Sequence, residues 1–85
     1  MEKSGVKEII FGIIADHFDF AEPGDLCLEQ SLRYDLYADE LDLTEICMEL
    51  EDEFDLRITD SDFEPLKTIS DIVEYIYSEV KNGIL

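Results

Sequence analysis

The chain has 85 residues, with 23 acids against 6 bases and a formal net charge of −17. That length supports one domain, residues 1–85, with a modest core and is too short for two; a hydrophobic content of 46% excludes a disordered acidic tail. The charge repels nucleic acid and anionic membranes and speeds encounter with cationic protein surfaces, and its self-repulsion predicts a stability that rises with salt or divalent cations.

Ser4 is placed to cap a first helix running to about His17, in which Val6, Ile9, Ile10, Ile13 and Ile14 share a face. Gly12 either weakens this helix, by up to about 1 kcal/mol relative to alanine, or admits a close neighbour. Asp19 to Gly24, with Pro23-Gly24, is turn chemistry. The connection from Phe18 to Ala38 is a long first loop. Phe20, Leu26, Leu28, Leu32 and Leu36 recur along it often enough to anchor it on the helices.

A second helix follows from Asp39. Leu43, Ile46, Cys47, Leu50 and Phe54 have the spacing of one buried stripe. At roughly 100° per residue, Leu41 and Met48 fall about 150° from the centre of that stripe and point away from the core. Thr44, Glu45, Glu51 and Asp52 lie beside them. Asp39 is the predicted N-cap, with Asp42 as a short capping-box partner. Glu40, Asp42 and Glu45 sit favourably at the positive end of the helix dipole, each by roughly 0.3–1 kcal/mol. Burial of the five apolar residues is the larger contribution, at roughly 1.5–3 kcal/mol each as an upper bound. Between Asp35 and Glu64 there are thirteen acids and one base, Arg57. Crowding acids in this way opposes folding, so the pattern points to a face built for a basic partner.

Asp55 to Ile58 leaves the helix. Thr59 with Asp62 caps a short third helix that Pro65 ends, and Thr68 with Asp71 caps a last helix. Ile69, Ile72, Val73, Ile76, Tyr77 and Val80 form its stripe, and Asn82-Gly83 stops it. No strand-like alternation, hairpin turn or internal repeat occurs. The predicted class is all-α, a small bundle.

The run Asp35-Leu36-Tyr37-Ala38-Asp39-Glu40-Leu41-Asp42, continued by Glu45, Met48, Leu50 and Glu51-Asp52-Glu53-Phe54, resembles the acyl carrier protein family. The family pattern there is Asp-Leu-Gly-Ala-Asp-Ser-Leu-Asp, opening its second helix. The resemblance implies three main helices plus one short helix with a long first loop, and a carrier rather than an enzyme. It also implies 4'-phosphopantetheine as the family's prosthetic group, fastened to the motif's serine and holding an acyl group by thioester. Glu40 stands at the serine position and Tyr37 at that of the glycine.

A carboxylate has no hydroxyl to give, so no covalently attached cofactor is expected at Glu40, and Ser31 and Ser61 lie away from the motif. What Glu40 keeps is about one negative charge, as a phosphodiester has. By the same resemblance Asp39, Leu41, Asp42, Glu45, Met48, Glu51 and Asp52 are the expected partner contacts. Two readings stay open. One is a docking module that presents its acidic second helix to basic surfaces of acyl-transfer or biosynthetic enzymes. The other is a true carrier of fatty-acid, polyketide or related pathways whose serine has been replaced, naturally or by engineering. The ring of Tyr37 either narrows the approach to Glu40 or adds a stacking contact.

Other chemistries find little support. His17 is the one histidine and reads as a helix-end residue, and no glycine-rich phosphate loop is present. Asp52, Asp55, Asp60 and Asp62 lack the glycine and terminal glutamate of an EF-hand loop, so no dedicated metal site is expected. Cys27 and Cys47 are too few for a disulfide framework or zinc cluster and read as structural thiols. With no apolar run of bilayer length and no secretory signal, a cytoplasmic monomer is the expectation.

Overall fold

The computed structural model describes residues 2–19 and 22–83. Four α-helices are present, and no extended strand occurs among the described residues. The first, α1 (Lys3–His17), buries Val6, Ile10, Ile14 and Ala15 and packs against both α2 (Glu40–Phe54) and α4 (Ile69–Gly83). Ile13 is partly buried against the core, and Ile9 is half-buried at the margin of the stripe.

Ser4 does not cap this helix. The helix starts two residues earlier than that cap would place it, with Glu2 at the N-cap making no side-chain cap bond, and the Val6 N–H donates to the Glu2 carbonyl at 3.1 Å. Lys3, in the added first turn, pairs with Glu74 of α4 at the surface. Gly12 accommodates no close neighbour, because an added Cβ would meet no heavy atom within 4 Å.

The long loop is ordered by two means. Leu26, Leu32, Leu36 and Ala38 are buried and Leu28 packs against the core; Phe20 lies outside the described residues. The second means is backbone pairing with the entry to α4. The Ile69 N–H donates to the Gln30 carbonyl at 3.0 Å and the Ser70 N–H to the Leu28 carbonyl at 2.8 Å, with an isolated antiparallel bridge between Ser31 and Thr68. These are N–H groups of a helix's first turn, which have no partner inside the helix. The loop caps α4. Within it Pro23–Asp25 forms a 3-10 turn. Cys27 is exposed rather than packed, because its position in the turn faces water while its own N–H donates to Gln30 Oε1.

The predicted caps form. Thr68 Oγ1 accepts from the Asp71 N–H at 3.1 Å, and Asp71 Oδ2 accepts from the N–H groups of Thr68 and Lys67. These last two bonds hold the Asp71 carboxyl below its ordinary pKa. The short helix α3 (Asp60–Phe63) is capped by Thr59 and ends before Pro65. Ile69, Ile72, Val73 and Ile76 of α4 are buried, with Tyr77 and Val80 half-buried beside them. α4 runs through Asn82 to Gly83, and the residues after that predicted stop lie outside the described range. Among the described residues no helix is long and apolar enough to cross a membrane.

Candidate functional site

The N-terminus of α2 is built by a reciprocal pair of carboxylates. Asp39 Oδ1 accepts from the Asp42 N–H at 2.8 Å, and Asp42 Oδ2 accepts from the Asp39 N–H at 3.0 Å. This satisfies a free N–H of the first turn and fixes the direction in which the helix leaves the loop. The other oxygen of Asp42, Oδ1, lies 2.8 Å from His17 Nε2 at the end of α1. Glu45 Oε1 stands 3.9 Å from the same nitrogen. The His17 hydrogen bond, followed by the Asp39 N–H, lowers the Asp42 pKa. His17 is therefore more than a helix-end residue: it ties α1 to the first turn of α2. No sequence signal pointed to this contact, since its partners are separated by 25 positions.

Inward, Ile46, Cys47 and Leu50 are buried, with Leu43 and Phe54 packed beside them, as their spacing predicts. Burial, together with the charges of Glu51 and Asp60, pushes the Cys47 thiol up to about 11, which makes it inert. Outward, Leu41 and Met48 are 65% and 59% exposed. Glu45 and Asp52 are exposed too, and the spacing 41, 45, 48, 52 runs as one ridge along the helix. The seven expected contact residues thus divide in two. Leu41, Glu45, Met48 and Asp52 form the ridge; Asp39, Asp42 and Glu51 also have structural work. Glu51 Oε2 accepts the Ile58 N–H at 2.8 Å and so holds the chain leaving α2.

At the head of the ridge stands Glu40, its side chain 81% exposed and paired with Arg33 of the loop. The pair raises the Arg33 pKa, chiefly through the hydrogen bond. Sequence reasoning passed over Arg33, although it is the one base between Lys7 and Arg57, a signal in so acidic a chain. Tyr37, three residues before Glu40, has φ 59° and an exposed side chain. This is the left-handed region where glycine is at ease and a ring-bearing residue is strained. Beside α2 an open groove is lined by Leu43, Cys47, Ile58, Phe63 and Leu66, with Arg33, Glu40 and Lys67 also on its walls.

Residues 8–76 match the family described as the phosphopantetheine attachment site. The chain belongs to that family. Its fold is similar to that of the acyl carrier protein from Enterococcus faecalis, with a TM-score of 0.77 and 36% identity over 92% of this chain and 98% of that one. The architecture is that of an acyl carrier protein, a helical bundle with no strand among the described residues; acyl carrier proteins are carrier domains, not enzymes. The family's usual prosthetic group is 4'-phosphopantetheine, and acyl carrier proteins work with biosynthetic enzymes.

Proposed function

We propose that this member of the family is a docking module that presents the ridge of Leu41, Glu45, Met48 and Asp52 to a basic surface on an acyl-transfer or biosynthetic enzyme. It acts as a cytoplasmic monomer and is not pantetheinylated. The observation that supports this reading is the pair of exposed apolar side chains, Leu41 and Met48, on a helix whose core stripe lies on the other side. Small apolar contacts set among like charges suit a partner that brings cations to the rim and a shallow apolar seat to the centre. Asp39, Asp42 and Glu51 add to the acidic field while holding the helix.

Position 40 does not fit the prosthetic group as a covalent appendage. Its side chain is a carboxylate paired with Arg33, and it has no hydroxyl to form a phosphodiester. Incubation with coenzyme A and a broad-specificity phosphopantetheinyl transferase should leave the intact mass unchanged, and an added arm would overturn the reading. Charge reversal at Glu45→Lys should weaken capture of a cognate enzyme without unfolding the domain, because the side chain lies at the surface.

A second reading, a carrier whose serine has been replaced, is favoured by the groove that reaches Glu40: its rim is charged, and Leu43, Ile58, Phe63 and Leu66 offer one apolar wall to an acyl chain. Glu40→Ser separates the two. Prompt modification of this variant by the transferase would mean the recognition surface is complete apart from one oxygen, as the second reading requires.

A further inference from the structure

We infer that His17, Asp42 and Glu45 form a site for a single Zn2+ ion, which joins the end of α1 to the first turns of α2. His17 Nε2, one oxygen of Asp42 and one of Glu45 all lie within 4.8 Å of one another. The two measured separations from Nε2 are 2.8 Å to Asp42 and 3.9 Å to Glu45. Zinc takes nitrogen and oxygen ligands at about 2.0–2.2 Å, which sets neighbouring donors roughly 3–3.5 Å apart. The two separations bracket that range. Closing on an ion therefore asks for small side-chain adjustments, chiefly at Glu45, which has half its side chain in water.

Three features distinguish this cluster from the many surface acids of the chain. An imidazole supplies one donor, and it comes from a different helix, with its side chain only 11% exposed. Asp42 divides its oxygens: Oδ2 is held by the Asp39 N–H, which fixes the carboxylate and leaves Oδ1 turned toward His17. Glu45 lies three residues after Asp42, on the same side of α2. One imidazole with two carboxylates selects zinc over calcium, which takes oxygen ligands alone. With three protein donors, a fourth position remains for water, the arrangement of an open zinc site. The net charge of −17 raises the local concentration of any divalent cation. Glu45 belongs to both the ridge and this cluster, whereas His17 stands outside the ridge, so His17→Gln tests zinc binding without altering the docking face.

The test is titration of the full chain with zinc chloride at physiological salt, in a Cys27→Ser background that removes an exposed thiol able to bind zinc itself. One ion per chain is expected. Loss of an outer partner of a zinc ligand already costs 10–100-fold in affinity, so His17→Gln should weaken binding by at least about tenfold. Glu45→Gln should weaken it too, and any calcium binding should not respond to His17→Gln. In the unsubstituted histidine background, zinc should shift the ring-nitrogen resonances of His17 by NMR, a readout that holds even if the His17 variant folds poorly. Equal zinc affinity with and without the imidazole would overturn the site. So would shifts spread over the acids of α2 and α3 with the His17 ring unmoved, the signature of diffuse charge screening.

Discussion

α2 and α4 are each fifteen residues long and each opens on a side-chain cap, yet they are held in different ways. α4 receives two further backbone acceptors from the loop and buries a continuous stripe from Ile69 to Ile76. α2 is flanked by Tyr37 at φ 59° and Asp55 at φ 53°, the non-glycine residues with left-handed backbone among those described. It buries three residues fully and leaves Leu41 and Met48 in water. The contrast teaches that the two helices serve different ends. α4 closes the core, whereas α2 divides its apolar residues: Ile46, Cys47 and Leu50 face inward, Leu41 and Met48 face water, and the strained backbone of Tyr37 precedes its first turn.

The sharpest way to break this contrast is truncation on each helix. Ile76 is fully buried, so Ile76→Ala should destabilise by about 2–5 kcal/mol. Met48→Ala and Leu41→Ala should change stability by no more than about 0.5 kcal/mol. Urea unfolding followed by circular dichroism measures both, and a Met48→Ala loss comparable to that of Ile76→Ala would show that the ridge belongs to the core.

The strain at the entry to α2 gives a smaller effect of opposite sign. A left-handed non-glycine residue costs roughly 1–2 kcal/mol, and glycine restores about 0.5–1 of this as extra chain entropy to be lost on folding. Tyr37→Gly should therefore stabilise by about 0.5–1 kcal/mol, since the exposed ring gives up little buried area. Thermal melting reads this as a rise of several degrees. A lower melting temperature would mean that the ring supports the loop.

The smallest effect concerns the caps, in which the two helices are alike. Asp42 is held below its ordinary pKa first by the His17 hydrogen bond, and Asp71 by the N–H groups of Lys67 and Thr68. For a carboxylate with a depressed folded-state pKa, the stabilisation is present above the unfolded value of about 3.9 and is lost as the pH falls through the folded one. Stability should decline over that acid range, and Asp71→Asn should flatten part of the decline. An unchanged acid limb in this variant would remove the Asp71 cap from the account of α4.

The helices and the outward direction of Leu41 and Met48 were legible because both follow from local geometry. A period of 3.6 residues assigns each side chain to a face whatever the helix packs against. Asp39, Thr59 and Thr68 were legible for the same reason, as a cap reaches only two or three residues along the chain. Ser4 misled because the helix begins two residues before a Ser4 cap would start it, behind Glu2, which makes no side-chain cap bond, and Lys3 in that added stretch pairs with Glu74 of α4, a contact that only packing shows. The loop's backbone bonds to α4, Glu51 on the Ile58 N–H and Arg33 on Glu40 have no periodic signature. Most of all, His17 meets Asp42 and Glu45 only when two helices cross. Sequence alone determined which residues are helical and which faces are apolar. The tertiary structure decided which acids remain at the surface and which are engaged, because that depends on groups far apart in the chain brought together by packing.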